Sequence, residues 1–549
     1  MDSNCSNRNK TDLLFFAAVI AVALLQLYKS FQGIGPIDEH CYIAFGYRLV
    51  KGDALIFDEW HITQLIAVFI APLIRLYLFV NGSMNGIVHF FRLCYIVFQT
   101  ICGSALYLRF RRHGLMSMLG ALCYLLFTPF HIMTLSYNTM SIGFLLLAAV
   151  CFDPESNRKN VLCGIFFACA VLNTPYLALL YGVFTVCSLR KKPPFAISSW
   201  RMVSAGAILT AIAFFAFLFS RETVSQLMIG LSHLRDKGHV DSVFILLAKG
   251  AGKLFQAFGI FLICFLMEIF GAVLARKKQN HTLSVMQVSA ALNALSAVYV
   301  MVIHPYMPEL GGHALILFPF AWTGLIALLL FPMHDMQYEK IFYFLSVFHA
   351  LMVAVSSNVG PRSFCSMLIT ACAMTLLFLE NAMPASCRNQ LFAGAFCLML
   401  GISRLTGVYD AEGKLNTRVS EGPLAGLYDT AEQAETAAEL LADVQEINRL
   451  PEHAVLFVSY HSWLYLATEK IPAASSAYIN PGFEAEWVEN QKAYALLHPS
   501  RREALCYLDE SDPPYGWNGS EPFFAELTLL KPMRMGKLYR MGEVNGGNE

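Results

Sequence analysis

Long apolar runs separated by short polar turns are the dominant pattern along the first three quarters of the chain. The runs recur from Leu13 to Ser403, and most are roughly 16 to 21 residues long, close to what a helix needs to cross about 30 Å of hydrocarbon. Lys and Arg residues gather at alternate turns, as they do at the cytoplasmic ends of membrane spans. The pattern predicts an all-α polytopic membrane protein with about 13 transmembrane helices.

The basic turns also predict the topology. Arg8 and Lys10 precede the first run, which lacks a cleavage pattern and is predicted to be a retained signal anchor. Basic clusters follow later runs at 109–114, 190–194 and 276–278. We therefore predict a multi-pass protein of the plasma (inner) membrane, with a cytoplasmic N-terminus and an extracytoplasmic C-terminal domain.

One apolar segment does not fit this count. Residues 65–80, "LIAVFIAPLIRLYLFV", are interrupted by Pro72 and Arg75, and counting them as a span would place every later basic cluster outside. The segment is predicted to lie in the membrane interface as an amphipathic helix. The same is predicted for 40–51, so that residues 33–91 form one long external loop with interfacial helices.

The composition changes abruptly after Gly407, from apolar runs to mixed polar sequence. The pattern predicts a helix at 429–449, strands at 453–460 and 475–479, a helix at 484–497, and strands in "EALCYL" and "GKLYRM". We interpret 1–407 as a transmembrane domain and 408–549 as a small extracytoplasmic α/β domain. Its single cysteine excludes an internal disulfide.

The overall composition narrows the function classes. Hydrophobic residues make up 56% of the chain and charged residues 14%, and the formal net charge is zero. No long Lys/Arg run occurs, which argues against a nucleic-acid partner. Most of the 15 cysteines fall in apolar segments without metal-binding spacing, which indicates small buried side chains.

Two acidic pairs stand in the first external loop, Asp38-Glu39 and Asp58-Glu59. Carboxylates at a membrane face are costly unless they are solvated, paired or functional. A structural explanation is available for the first pair, because acidic residues favour a helix N-terminus. It does not account for a second pair twenty residues later, so both pairs are candidate site residues.

The sequence around these pairs resembles a known family. The stretches "GPIDEHCYIAFGYRLVKGD", "DEWHITQL" and "LYLFVNGSMNGIVHFFR" are similar to the GT-C class of polyprenyl-phosphate-dependent glycosyltransferases, in the family 39-like branch of protein O-mannosyltransferases and lipid A aminoarabinose transferases. The resemblance is detailed over most of the first 110 residues, and beyond them only the predicted architecture is shared. It implies a GT-C fold and inverting transfer of a sugar from a polyprenyl-phosphate carrier to a glycan, lipid or protein acceptor in the cell envelope.

The resemblance also implies residue roles. Asp38 matches the position of the catalytic base, which takes the proton of the attacking acceptor, and Glu39 is its neighbour in the motif. Asp58 and Glu59 would line the same cavity and bind the sugar or the acceptor. Neither relative implies a metal, although two acidic pairs offer oxygen ligands to a divalent cation, and we predict no metal and no cofactor beyond the donor.

Cationic or hydrogen-bonding groups are needed for the leaving phosphate and the sugar. For the phosphate, the candidates in external loops are His61, Arg362, His304 and His313, with Arg92 as a further one. For the sugar they are Tyr137 and Asn138, although a turn alone is a sufficient reason for an asparagine. Arg362 has the alternative of anchoring a span at the headgroups, and the histidines that of capping helices.

Two other functions remain open at this stage. A transporter or lipid-linked sugar flippase also needs many helices, but it tends to show internal repeats and polar midplane helices. The predicted spans here have no repeat and are almost free of carboxylates apart from Glu268. The third possibility is a non-catalytic envelope protein with an external binding domain, in which the acidic pairs only begin helices.

Overall fold

The computed structural model describes most of the chain. The described residues are 2–35, 37–190, 194–234, 243–278, 281–303, 312–357, 359–383, 387–406, 414–479, 484–512 and 517–542. Described side-chain surroundings begin at Lys10.

The part of the chain before residue 407 is helical throughout its regular structure. In the first half the helices are α1 (Asp2–Ser30), α2 (Ile37–Lys51), α3 (Ala67–Asn81), α4 (Ile87–Phe110), α5 (Gly114–Leu126), α6 (Tyr137–Cys151), α7 (Asn157–Asn173), α8 (Ala178–Leu189) and α9 (Ile197–Phe219). They are followed by α10 (Val224–His233), α11 (Val243–Phe258), α12 (Ile260–Lys278), α13 (Thr282–Ile303), α14 (Leu317–Leu330), α15 (Gln337–Ser356), α16 (Pro361–Ser366), α17 (Ile369–Ala382) and α18 (Cys387–Thr406). The long apolar runs of the sequence fall on these helices, although one predicted span, ending at Arg276, crosses the break between α11 and α12.

Length and composition make the chain a multipass membrane protein. Within the described residues, six helices are long and apolar enough to cross a bilayer, or seven if the bent pair α11 and α12 is one span, and four further apolar helices are shorter. The count of 13 crossings stays a prediction. Residues Gln64–Asn81 pass the same test, so their predicted place in the interface also stays a prediction.

The stretch 220–253, which the sequence pattern predicts to be an external loop between two spans, contains helices. Helix α10 and most of α11 lie in it. Helix α11 meets α12 at an angle of 103°, and Gly259 between them has a φ of +52°. Only glycine adopts that backbone conformation at low cost, which explains how the chain turns so sharply there.

Small residues bring helices of the bundle into close contact. A Cβ on Gly164 of α7 would lie 2.0 Å from the carbonyl oxygen of Val203 on α9, and a Cβ on Gly206 would lie 2.0 Å from that of Val161. Close approach of backbones at small residues is the usual basis of helix packing in membranes. Any larger residue at either glycine would force α7 and α9 apart.

The C-terminal part forms the small α/β domain that the sequence predicts. Its strands are β1 (Thr417–Arg418), β2 (Tyr428–Asp429), β3 (Ala454–Val458), β4 (Ile471–Pro472), β5 (Leu505–Asp509), β6 (Thr528–Pro532) and β7 (Gly536–Arg540), and its helices are α19 (Ala431–Asn448), α20 (Leu464–Ala467), α21 (Glu484–Leu497) and α22 (Pro522–Ala525). Five strands form one sheet in the order β4-β3-β5-β7-β6. Strand β3 is parallel to β4 and β5, and β7 is antiparallel to β5 and β6.

The prediction of a strand at 475–479 is wrong. These residues form an irregular segment beside the sheet, because their backbone groups bond to the first loop and not to a neighbouring strand. Trp60 donates its backbone N–H to Ser475 O at 2.8 Å, and Ala477 donates its own to Glu59 at 3.1 Å.

The C-terminal domain covers the first loop. Gly33 donates its backbone N–H to Tyr428 O at 2.8 Å, and Gly86 donates to Gly422 O at 3.0 Å. Helix α2, predicted as an amphipathic helix with one polar face, has ten buried residues among its fifteen. It is enclosed because the domain packs on the face that the sequence leaves polar.

Candidate active site

A cavity of about 790 Å³ lies where the first loop, the helix ends and the C-terminal domain meet. Its walls come from the start of α2, the segment 60–63, the turn before α6, the end of α15 with the start of α16, and the domain segments 475–478 and 486–490. A volume of this size accommodates a ligand as large as a sugar with its phosphate. It is therefore the candidate active site.

Asp38 lies at this cavity in the first turn of α2. The side chain is partly exposed, and burial among protein atoms raises the pKa of its carboxyl from 3.8 to about 6, while the nearby Arg362 guanidinium opposes that rise. A carboxylate with a pKa close to neutral is better suited to accept a proton than an ordinary aspartate. The position of Asp38 and the raised pKa of its carboxyl therefore make it a candidate base.

Arg362 lines the cavity from the first turn of α16. Its guanidinium lies over the ring of Phe130, 4.9 Å from the centroid. Phe130 and His131 both have positive φ, 56° and 60°, a conformation that costs free energy for such residues and that tends to occur at functional sites. The strained turn therefore places the Phe130 ring against the guanidinium of Arg362, which acts on the Asp38 carboxyl.

The N-terminus of α6 opens into the cavity. The Ser136 hydroxyl caps the helix by accepting the Thr139 backbone N–H at 3.2 Å. In return, the Thr139 hydroxyl oxygen accepts the Ser136 backbone N–H at 2.9 Å. This capping box fixes Tyr137 and Asn138 in the first helical turn, where both line the cavity. The partial positive charge of a helix N-terminus favours an anion at this place.

His61 faces the same space from the first loop. Its Nδ1 accepts the backbone N–H of Thr63 at 3.2 Å, which leaves the proton of the neutral ring on Nε2. The ring packs edge-on to Tyr478 of the C-terminal domain at 4.8 Å between centroids. Next to it, Trp60 stacks on His233 of α10 at 4.1 Å. These contacts give the cavity a polar and aromatic wall.

Glu39 is not among the described residues that line the cavity. Its two carboxylate oxygens accept Arg92 Nε and Nη2, each at 2.7 Å. Arg92 also donates to the carbonyls of Ser30, Gln32 and Gly33 at 2.8 to 3.1 Å. The pair ties α2 to the ends of α1 and α4. Arg92 is therefore fully engaged, and Glu39 lies beside the candidate base without facing the cavity.

Asp58 and Glu59 also lie outside the described cavity wall. Asp58 is buried, 2.9 Å from His498 Nε2 and 3.3 Å from Arg501 Nη2, and these partners outweigh burial and lower the pKa of its carboxyl. Glu59 accepts Arg48 Nη1 at 2.8 Å, but burial prevails and raises the pKa of its carboxyl. Both carboxylates join the loop to the domain.

The junction between loop and domain centres on two arginines that sequence reasoning missed. Arg48 Nε donates to Asp53 at 2.8 Å and its Nη2 to the Tyr494 hydroxyl at 3.1 Å, and Arg501 Nη2 donates to the other oxygen of Asp53 at 2.8 Å. Arg48 is 1% exposed. The sequence signal was an arginine in a predicted interfacial helix, close to three acidic residues. The groups from the C-terminal domain, Tyr494 and Arg501, could not be anticipated because each lies more than 400 residues from its partner in the loop.

Glu59 also connects the two sides of the cavity. Its Oε1 accepts the backbone N–H of His61 at 3.2 Å, and its Oε2 accepts that of Ala477 at 3.1 Å. The Ser476 side chain bonds to the same carboxylate. His61 and Ser476 both line the cavity, so Glu59 sets the distance between them without reaching the space itself.

His304 and His313 are the other two histidines predicted to bind the phosphate. His304 lies outside the described residues. His313 lies behind the strained turn and not in the described cavity wall: its Nε2 is 3.1 Å from Thr128 O, and its ring stacks on His131 at 3.7 Å between centroids. His313 thus supports the turn that carries Phe130.

No cluster of three or more His, Cys, Asp or Glu side chains suited to a metal ion occurs within the described ranges. The expectation that no metal takes part stays a prediction.

Similarity to known proteins is found among solved structures. No protein-family model matches the sequence, and no curated protein matches it. The structure is similar to that of ArnT from Cupriavidus metallidurans bound to undecaprenyl phosphate, with 13% identity and a TM-score of 0.41, covering 98% of this chain and 99% of that one. The apo structure of the same protein gives 14% identity and a TM-score of 0.44 at the same coverage.

Proposed function

We propose that this chain is an inverting membrane glycosyltransferase that moves a sugar from a polyprenyl-phosphate carrier to an acceptor outside the membrane. The observation that carries the proposal is the position of Asp38: a partly exposed carboxylate with a raised pKa, in a cavity of about 790 Å³ that also contains Arg362. The motif resemblance around Asp38 supports the choice of the carrier. The proposed orientation is a cytoplasmic N-terminus with the cavity and C-terminal domain outside.

Asp38 acts as the general base in the proposed reaction. A hydroxyl or amine of the acceptor attacks the anomeric carbon of the sugar while the Asp38 carboxylate takes its proton. The bond between the anomeric carbon and the phosphate oxygen breaks, and the polyprenyl phosphate leaves with one additional negative charge. Attack from the side opposite to the phosphate inverts the anomeric configuration. A positioned base of this kind contributes roughly 100-fold to 10,000-fold to a rate.

Arg362 and the N-terminus of α6 hold the phosphate in this scheme. The guanidinium offers paired N–H donors to phosphate oxygens, and the Phe130 ring behind it limits its movement. Tyr137, Asn138 and His61 remain for the hydroxyl groups of the sugar or acceptor. Charge neutralisation by Arg362 and the helix end lets the phosphate leave without a metal ion.

Glu39 and Asp58 act by positioning in the proposed site. Glu39 holds α2 through Arg92, and Asp58 holds the loop against His498 and Arg501. The C-terminal domain supplies the wall with Ser475, Ser476 and Trp487, and it is the proposed contact surface for the acceptor. The identity of the sugar decides which of these hydroxyl and aromatic groups bind it.

The test measures glycan transfer in membranes supplied with a panel of polyprenyl-phosphate sugars. Wild type is compared with Asp38→Asn, which keeps the size of the side chain but cannot accept the proton. We expect the transfer rate to fall about 100-fold or more. Glu469→Gln, an exposed carboxylate of the C-terminal domain, is the matched control and should transfer at the wild-type rate.

Three results separate the proposal from its rivals. Wild-type transfer by Asp38→Asn removes Asp38 as the base. Movement of lipid-linked sugar across vesicles without any product indicates a flippase. Loss of wild-type transfer in EDTA that Mg²⁺ restores contradicts the metal-free scheme.

A further inference from the structure

A second cluster of positive charge lies away from the cavity, at the ends of α1 and α18. Arg404 in the last turn of α18 is 2% exposed, and Lys29 in the last turn of α1 is 5% exposed. Neither residue is among those that line the cavity. Buried cations in a membrane protein are costly and are normally paired with an anion.

Arg404 has no such partner among the residues that the structure describes. Its Nε and Nη2 are buried and make no hydrogen bond, so three of the five guanidinium N–H groups lack an acceptor. The cations Lys29 and Arg92 are close enough to repel it. The nearest favourable group is the Tyr95 hydroxyl, which already donates to Thr128 at 3.0 Å.

The local charges do not balance. Lys29, Arg92 and Arg404 carry three positive charges. Two described carboxylates lie near them: Glu39, with both oxygens bonded to Arg92, and Asp429, which accepts the backbone N–H groups of Ile34 and Thr430. The C-terminal end of α18 offers only about half a negative charge, and Lys29 Nζ already occupies it by donating to Leu405 O at 3.0 Å. Within the described residues, one positive charge of the cluster is left without a counter-charge.

We propose that Arg404 and Lys29 form a binding site for a phosphate group carried by a membrane lipid. A guanidinium presents paired N–H donors that match two oxygens of a phosphate. Residues Lys10–Ser30 have the length and composition of a membrane span, so Lys29 at their end would meet lipid headgroups. Tyr28 and Leu405 beside the site are 63% and 54% exposed and offer surfaces to acyl chains. The inference does not depend on the transferase proposal, because Arg362 serves the other site.

The experiment uses the full chain in phosphatidylcholine nanodiscs with and without phosphatidic acid. Lipid binding is titrated, and the thermal unfolding midpoint is followed in wild type, Arg404→Gln, Lys29→Gln and Arg362→Gln. Phosphatidic acid should raise the midpoint of wild type and of Arg362→Gln. Arg404→Gln should lose that rise and bind about tenfold more weakly or worse, since a charge-assisted bond contributes about 1.5–3 kcal/mol.

Control variants separate a lost site from a damaged fold. Arg158→Gln removes an exposed arginine of α7 and should respond as wild type does. Without phosphatidic acid, Arg404→Gln should be at least as stable as wild type, because it removes an uncompensated buried charge. Arg404→Lys keeps the charge without the paired donors and should bind with intermediate strength.

Two outcomes overturn the proposal. The first is that phosphatidic acid has no effect on wild type, while Arg404→Gln is less stable than wild type and Asp410→Asn or Glu412→Gln is destabilised equally. The counter-charge of Arg404 then belongs to the chain itself. If inorganic phosphate raises the midpoint as much as phosphatidic acid does, the occupant is a free anion and the lipid assignment is wrong.

Discussion

Asp38 and Asp58 begin two Asp-Glu pairs in the same loop, yet they lie in opposite environments. Asp38 is partly exposed to the cavity, and burial raises the pKa of its carboxyl to about 6. Asp58 is 7% exposed and is held by His498 and Arg501, which lower the pKa of its carboxyl. Identical dipeptides therefore have different chemistry: one carboxylate is kept available to a proton, and the other is kept ionised as part of a junction.

The difference arises from the partners that the fold supplies. Asp38 faces one cation, Arg362, across space that a ligand can enter. Asp58 meets two basic side chains from the C-terminal domain and also accepts the backbone N–H of Ala54 at 2.5 Å. A carboxylate with all of its acceptor sites used is suited to holding structure. One with unused acceptor capacity is suited to a reaction.

The largest effect is expected where the junction is broken. Arg48→Met leaves Asp53 and Glu59 buried with less positive charge, and removing one partner of a buried ion pair costs about 3–5 kcal/mol. We expect a much lower unfolding midpoint in detergent. We also expect faster trypsin cleavage within the first loop and within the C-terminal domain, since the two no longer protect each other. Arg449→Met, at an exposed helix end, is the control. A midpoint equal to that of wild type would show that the junction does not stabilise the chain.

The pH dependence of transfer tests the cavity side. A base must be deprotonated to act, and the pKa of Asp38 is about 6. The transfer rate should be constant above that pH and fall about tenfold for each unit below it. A rate that stays constant down to about pH 4 would mean that Asp38 keeps the ordinary pKa of an aspartate.

The two aspartates should also affect stability with opposite sign. The native state binds the Asp38 proton more tightly than the unfolded state does, so stability falls as the pH rises from 3.8 to about 6. Asp38→Asn should remove this loss, about 1 kcal/mol or more. For Asp58 the native pKa is lowered, so its stabilisation is present above its ordinary pKa and is lost on acidification. Unfolding midpoints measured against pH for both asparagine variants check the two signs.

The smallest effect is expected at the aromatic face under Arg362. Phe130→Leu removes the ring but keeps an apolar side chain, and a cation–π contact contributes about 0.5–2 kcal/mol. Donor binding should weaken roughly twofold to thirtyfold, with kcat and the unfolding midpoint nearly unchanged. Phe219→Leu, at the exposed end of α9, should leave donor binding unaltered. Equal donor affinity in wild type and Phe130→Leu would separate Phe130 from phosphate binding.

Sequence patterns predicted the parts of this molecule that depend on local properties. Apolar length and basic turns located the helices, and short apolar runs located β3 and β5, since each signal is contained within a few residues. The motif around Asp38 also predicted a residue that the structure places in the cavity. His61, Tyr137, Asn138 and Arg362 line the same cavity because each stands at a helix end or loop on one side of the bundle.

The remaining features depend on contacts that no local pattern encodes. The sequence around Glu59 does not distinguish it from a residue that lines the cavity. In the structure its carboxylate instead accepts hydrogen bonds from Ala477 and Arg48. The strand predicted at 475–479 has suitable residues, yet its backbone bonds to the first loop. Arg404 looked like an ordinary basic helix end, and only its burial sets it apart.

The junction imposes an order on the synthesis of the chain. Glu59 and Ala477 are 418 residues apart in sequence, and a ribosome that adds about 5–20 residues per second needs roughly 20 to 80 s to make that interval. During that time the first loop is already complete, with Arg48, Asp53 and Glu59 lacking the groups that later enclose them. The first loop of the newly made chain therefore stays incomplete until the C-terminal domain has been synthesised.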